Sequence, residues 1–257
     1  VDNILVHSTD LDSHLEILEI IFEILDQQNF SLREDKCEFL FQEMEFLGFV
    51  INGREVKMSP SNTHKVNQFP IPGNRKAVQR FLGLTNFNRQ FIKDYAEVTA
   101  PLAKLTSDKV EFQWGDDQAK AFARIKEMLV TAPALQMPDW NRPFEMETDA
   151  SDIAVGAILF QRDVTGAKRT IAYHSKSLSG CEKRWSATDK EFYAIISASR
   201  KWPTFCAQGI TFHTDHKPLT YLKGNSKVKG KHARWLLELE NFEYEIAYIP
   251  GKENKAA

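Results

Sequence analysis

The stretch that decides the fold is Phe144-Glu145-Met146-Glu147-Thr148-Asp149-Ala150-Ser151-Asp152, followed closely by Val155-Gly156-Ala157-Ile158-Leu159-Phe160-Gln161. Apolar residues alternate with acids through Asp149, a small polar turn follows, and a second apolar run returns, which is the pattern of a β-hairpin. Two acids downstream answer it. Glu191 lies in a strongly helical segment, and Asp215 ends the strand-like run Ile210-Thr211-Phe212-His213-Thr214-Asp215. An acid at one strand end, one on a helix and one at a second strand end can converge on a single site. Converging carboxylates repel unless cations lie between them, and two magnesium ions ~3.5–4 Å apart are the usual arrangement for phosphodiester cleavage. Each acid alone says little; their order carries the reading.

Competing readings stand beside it. Thr188-Asp189-Lys190-Glu191 fits a capping box, which makes Glu191 a structural acid in the first turn of its helix. His213, Asp215 and His216 offer zinc ligands, but no further His/Cys pair supports them. After Asp215 come Lys217, Lys223, Lys227, Lys229, Lys231 and Arg234 with no acid among them. Such a run is either a solvated surface or a seat for a polyanion beside the acids.

At 257 residues the chain has room for two or three small domains, and 42% hydrophobic with 26% charged residues is ordinary for a globular protein. A net charge of −2 leaves any nucleic-acid binding to local stripes. Cys37, Cys181 and Cys206 are odd in number and scattered, which argues against a disulfide frame or a zinc ribbon and for a reducing compartment. Glu19 and Glu23 break the apolar stretch 17–25, and Val1-Asp2-Asn3 is no signal peptide. An intracellular protein without a membrane span is expected.

In chain order, residues 1–7 alternate like a strand. Ser13-His14-Leu15-Glu16 supplies a capping box, and Leu15, Leu18, Phe22 and Leu25 predict an amphipathic helix over 13–29. Short strands follow at 39–41 and 44–51, turned by Asn52-Gly53. Residues 56–74, punctuated by Ser59-Pro60-Ser61 and Pro70-Ile71-Pro72-Gly73-Asn74, read as a linker. A helix is expected from Asn74 to about Asp94, with Val78, Phe81, Leu82, Phe87 and Phe91 as its apolar face. Its stripe of Gln79, Gly83, Asn86 and Gln90, rimmed by Arg75, Arg80 and Arg89, suits either a duplex groove or close helix packing at Gly83. A further helix spans 116–129 with Phe122, Ile125 and Leu129 inward. From 138 the pattern is β-β-β-α-β, a short helix, then α-β, a mixed sheet with flanking helices.

The chain resembles the pol polyprotein of gypsy-type LTR retrotransposons, from mid-palm of the reverse transcriptase into the ribonuclease H domain. The segments that carry the resemblance run in order: Val1-Asp2-Asn3-Ile4-Leu5-Val6, Lys36-Cys37-Glu38-Phe39, Phe46-Leu47-Gly48-Phe49, Arg80-Phe81-Leu82-Gly83-Leu84, Asn88-Arg89-Gln90-Phe91-Ile92, Pro101-Leu102 and Phe112-Gln113-Trp114. Ala132-Pro133-Ala134-Leu135, Thr148-Asp149-Ala150-Ser151, Thr214-Asp215-His216-Lys217 and Tyr248-Ile249-Pro250-Gly251-Lys252 continue it.

The resemblance implies an α+β chain. Residues 1–56 would be the end of a reverse-transcriptase palm, 57–137 a helical thumb, and 138–257 an RNase H-like domain lacking its last helix. Asp149, Glu191 and Asp215 would be catalytic carboxylates holding two Mg2+ (or Mn2+) ions, and Asp2 the first metal-binding aspartate of the polymerase turn. Leu47, Gly48 and Phe49 would form a primer-grip hairpin. Gln79, Arg80, Gly83, Asn86 and Phe87 would follow the duplex groove, with Lys217, Lys229 and Lys231 as further nucleic-acid contacts.

The implied partners are an RNA–DNA hybrid, a primer–template duplex and the remainder of the polyprotein, in a cytoplasmic virus-like particle or the nucleus. The implied activities are RNA-templated DNA synthesis and hydrolysis of the RNA strand of hybrids. Two departures matter. Asn3 stands where the family has its second polymerase aspartate, and a neutral amide balances a divalent cation poorly. The family's fourth ribonuclease H carboxylate opens a helix beyond Asn254-Lys255-Ala256-Ala257, so the chain alone is expected to be a weak or inactive nuclease. The rival reading is a decayed or domesticated element kept as a nucleic-acid or protein-binding scaffold.

Overall fold

A computed structural model describes residues 3–222 and 229–256. In the N-terminal half, α1 (Leu11–Gln27) precedes a meander of β1 (Met44–Phe46), β2 (Phe49–Ile51) and β3 (Glu55–Met58). Four helices follow: α2 (Pro60–Asn67), α3 (Arg75–Phe87), α4 (Tyr95–Lys104) and α5 (Asp116–Val130). The chain then returns as β4 (Leu135–Gln136) to pair with β3, so the small sheet has the order β1-β2-β3-β4 and spans residues on both sides of position 57. Val66, Val78, Phe81, Leu102, Phe122, Ile125 and Leu129 form the core of the helical unit.

The second half holds β5 (Phe144–Ala150), β6 (Ala154–Arg162), β7 (Lys168–Ser177), α6 (Ala187–Lys201), the short α7 (Pro203–Cys206), β8 (Ile210–Thr214), α8 (Lys231–Leu239) and β9 (Tyr244–Tyr248). Its five-stranded sheet has the order β7-β6-β5-β8-β9. The β5–β6–β7 meander is antiparallel, while β8 and β9 join parallel to β5 and to each other. The parallel joins need crossovers, and α6 and α8 supply them. Ser186 caps α6, and Phe192, Ile195 and Ile196 are fully buried against Phe144, Met146, Leu159 and Phe212. Trp235 of α8 closes the outer side, with ring centroids 5.3 Å from Phe192 and 5.5 Å from Trp185. The α+β architecture, α5 and the second-half order of strands and long helices match what the sequence implies; the short helix expected after the fourth strand is a 3-10 turn at Lys217–Tyr221, and α7 is an additional short helix before β8.

Several local expectations fail for identifiable reasons. Asp10, not Ser13, caps α1: its Oδ1 accepts from the Ser13 amide at 2.9 Å, so the helix starts earlier. Residues 3–7 pair with no strand among the described residues, and Val1 and Asp2 lie outside them. Leu40 has φ +63°, which a strand does not accommodate, and residues 39–41 stay irregular. The run 44–51 is two strands, because Leu47 (φ +50°) and Gly48 (φ +82°) make the positive-φ pair of a tight hairpin.

Residues 56–74, expected as a linker, instead carry most of β3 and all of α2: Ser59 caps α2 through the Asn62 amide, and Pro60 occupies the first helical position, where its missing N–H costs nothing. The helix expected up to Asp94 stops at Phe87, and α4 was not foreseen. Pro101 disguised α4, whose Tyr95, Thr99 and Leu102 otherwise keep a helical period. Phe87 is exposed, not buried.

Candidate nuclease centre

The parallel register that pairs Phe144 with Ile210 and Glu147 with His213 brings Asp215 level with Asp149 at the strand ends. Above them α6 presents Glu191. One carboxylate oxygen from each of Asp149, Glu191 and Asp215 lies within 4.8 Å of the others. The capping role offered to Glu191 falls to other residues: Ser186 Oγ accepts from the Asp189 amide at 3.2 Å, and Asp189 accepts from the Ser186 amide at 3.2 Å. Thr188 instead meets His216 Nε2 at 2.8 Å, tying the helix to the residue after Asp215. Glu191 therefore sits one turn further in, 8% exposed, and its Oε2 has no hydrogen-bond partner among the described residues.

The electrostatics single out this end of β5. Glu145 and Glu147 share one face of β5 with Asp149, and each of the two has a cation. Glu145 meets His213 at 2.6 Å and Arg162 at 2.8 Å, and Glu147 pairs with Lys168. Glu191 instead faces acids. Burial, then Asp149, then Asp215 push its carboxyl up to about 8, with the Ala150 amide pulling the other way. Burial and then Asp215 likewise raise Asp149. A buried, unpartnered carboxylate oxygen beside two more carboxylates fits a divalent cation, whose charge removes the repulsion and whose oxygen preference the donor set meets.

Contacts not foreseen in the sequence support the three acids. A Cβ on Gly251 would stand 3.0 Å from Asp215 Oδ2, so glycine there leaves room for the carboxylate. Asn254 donates to the Thr148 carbonyl at 3.0 Å, beside Asp149. Buried Lys190 reaches Asp152 at 2.6 Å and fastens the hairpin turn to α6. The motif Ile249-Pro250-Gly251 was the available signal for the first of these.

The expected nucleic-acid residues fall into two groups. Gln79, Arg80, Gly83, Asn86 and Phe87 are all exposed on one face of α3. A Cβ on Gly83 would meet nothing within 4 Å, so close helix packing does not account for that glycine. Phe49 stacks on Phe87 at 5.1 Å, which joins the Leu47-Gly48 turn to this face. Near the acids, Lys217 and Lys229 are exposed, whereas Lys231 pairs with Asp189 at 2.7 Å and lies over Trp185. Against the upward pull of burial, Lys231, Ser186 and His232 hold Asp189 down at about 2. Asp2, Lys223 and Lys227 lie outside the described residues.

This sheet order, with acids on β5, α6 and the end of β8, defines an RNase H-like fold with a carboxylate centre. Residues 139–242 match the model of the RNase H-like domain found in reverse transcriptase. The chain is 34% identical over 270 residues to the retrovirus-related Pol polyprotein from transposon opus of Drosophila melanogaster, covering 100% of this chain and 27% of that protein. It is also 34% identical over 262 residues to the Tf2-7 transposon polyprotein of Schizosaccharomyces pombe, covering 100% of this chain and 20% of that protein. It thus spans roughly a quarter of the length of these curated relatives.

A foamy viral protease-reverse transcriptase dRH solved with double-stranded DNA matches at TM-score 0.75 and 25% identity, over 94% of this chain and 44% of that one. The foamy viral protease-reverse transcriptase with RNA/DNA hybrid has the same fold, at TM-score 0.78 and 24% identity over 96% and 35% of the two chains. The chain belongs to the retrotransposon Pol polyproteins and carries their reverse-transcriptase-associated RNase H-like domain.

Proposed function

We propose that this chain contributes a metal-dependent ribonuclease H that hydrolyses the RNA strand of RNA–DNA hybrids, within a gypsy-type Pol polyprotein that also copies RNA into DNA. The observation that carries it is the trio Asp149, Glu191 and Asp215, with Glu191 buried among like charges and one oxygen unpartnered. These three residues would hold the divalent ions, magnesium or manganese. The chemistry such ions would supply there is Lewis acidity, favouring a water nucleophile and offsetting charge on the leaving 3′ oxygen. The chain's own part is to fix three oxygens on two strand ends and a rigid helix. Burial keeps competing water from the Glu191 side.

The division into palm remainder (1–56), thumb (57–137) and RNase H-like unit (138–257) belongs to the same proposal. Separate cores in the helical and second-half units support its second boundary. The α3 face with the Leu47-Gly48-Phe49 turn is the proposed duplex track, and Lys217 and Lys229 are proposed phosphate contacts beside the acids. The foamy viral proteins of this fold were solved bound to double-stranded DNA and to RNA/DNA hybrid. No helix among the described residues is long and apolar enough to cross a membrane. Asp2 stays a proposed polymerase ligand, and Asn3 motivates the scaffold alternative; a triad intact in geometry and charge weighs against decay.

The test is a hybrid labelled on each strand, treated with a Pol protein carrying this segment. RNA-strand cleavage with magnesium or manganese, absent in Asp149→Asn with hybrid binding retained, is expected. A wild type that binds hybrid and leaves the RNA whole points to the scaffold.

A further inference from the structure

The helical unit reaches the edge of the carboxylate centre. Asp149, Gly156 and Ser175 form one row across β5, β6 and β7, each registered with the next. The first turn of α4 lies across that row: the Ala96 amide donates to Ser175 Oγ at 3.0 Å, and Asp94 Oδ1 stands 3.8 Å from where a Gly156 Cβ would be. Gly156 pairs with Asp149 across β5 and β6, so Asp94 and Asp149 flank the same glycine, a point that the Ala256 carbonyl oxygen also approaches.

Asp94 holds the residue position before α4 at which aspartate ordinarily caps a helix, yet its side chain makes no cap bond. Its backbone is left-handed, φ +56°, a conformation Asp and Asn enter more readily than most residues. Lys93 pairs with it at 3.6 Å. The carboxylate is thus turned from its local use toward the sheet row that ends in Asp149. Glu191, 8% exposed and with Oε2 unpartnered among the described residues, brings a carboxylate oxygen within 4.8 Å of one from Asp149.

We propose that Asp94 is a further carboxylate of the divalent-metal centre, contributed by the helical unit and not by the RNase H-like unit. The inference rests on the reading of Asp149, Glu191 and Asp215 as metal residues. It makes the centre composite: docking of α4 on Ser175 adds negative charge beside Asp149 and strengthens its hold on a divalent ion.

The test is calorimetric titration of the chain with manganese, with thermal melting beside it. Asp94→Asn keeps shape and tolerates the left-handed backbone, so the fold is retained. It is expected to weaken manganese binding about tenfold, as loss of one carboxylate near a cation does. Melting of the metal-free protein rises because repulsion is relieved, and the manganese-induced shift shrinks. Asp94→Glu, which keeps the charge, recovers most of the affinity, and the distant, exposed Asp108→Asn changes nothing.

Unchanged manganese affinity in Asp94→Asn, with Asp149→Asn abolishing binding, overturns the proposal and leaves the triad standing. A lower metal-free melting temperature with an unchanged manganese shift overturns it too, leaving Asp94 as a docking residue. Manganese binding that Asp149→Asn does not alter overturns the triad reading itself.

Discussion

Helices α1 and α6 start from similar sequence and end in opposite surroundings. Both carry apolar residues at helical spacing and an N-cap side chain, Asp10 in one and Ser186 in the other. Helix α6 is buried in an unbroken run from Lys190 to Ser199, while α1 buries no residue and leaves Leu11, Leu15, Ile20, Phe22 and Ile24 exposed. Periodicity and caps make a helix; a surface to pack on makes a core. The same burial gives α6 its chemistry, because Glu191 resists ionisation only where water is excluded and acids face it.

The largest expected effect separates the two regions by function. Asp149→Asn or Glu191→Gln should lower RNA-strand cleavage at least about a thousandfold, measured on end-labelled hybrid, because the remaining acids no longer offset the ion's charge. Leu15→Ala on α1 should leave the rate within about twofold. A comparable loss from Leu15→Ala would mean that α1 serves the reaction as directly as α6 does.

Stability sharpens the contrast next. Phe192→Ala removes a fully buried ring and is expected to cost about 3–5 kcal/mol in urea unfolding. Leu15→Ala, at a position 52% exposed, should cost less than about 1 kcal/mol.

A smaller effect lies on α3. Gly83→Leu should weaken hybrid binding by about 1–3 kcal/mol by holding the helix off the duplex, a loss read by fluorescence anisotropy. The same change should raise stability slightly, by up to about 1 kcal/mol, since glycine is a poor helix former and the site is open. Unchanged affinity would remove α3 from the duplex track.

Legibility followed the same division. The hairpin 144–161, α6, α8 and β9 were readable because each buries a regular face, so pattern and burial agree. The triad was readable as three acids at element ends, but Glu191 could be told from a cap only by seeing Ser186 take that role. Near β1–β3, turn chemistry competed with strand pattern: Leu47 and Leu40 adopt positive φ, which no propensity for leucine foretells. Pro101 hid α4, and with it the contact of Ala96 and Asp94 on the five-stranded sheet. Gly251 and Asn254 act through close approach and a backbone carbonyl, contacts with no sequence period. Gly83 had two readings until the empty space around it removed one.

Acid dependence follows from Glu191 with a definite sign. Its folded value near 8 lies above the ordinary 4.5, so between those values the folded metal-free protein holds a proton that the unfolded chain releases. Stability of the metal-free protein should therefore be fully present below pH ~4.5 as far as this group is concerned, and fall as pH rises through ~8. Glu191→Gln should flatten that slope in thermal melts.

Three acids that converge in this way call for a divalent cation, and carbon-detected NMR of the Glu191 side-chain carboxyl reads that requirement at the residue itself. Titration near pH 8 is expected without metal, dropping below the ordinary 4.5 once magnesium saturates the site. An ordinary carboxylate titration that magnesium does not move would contradict it.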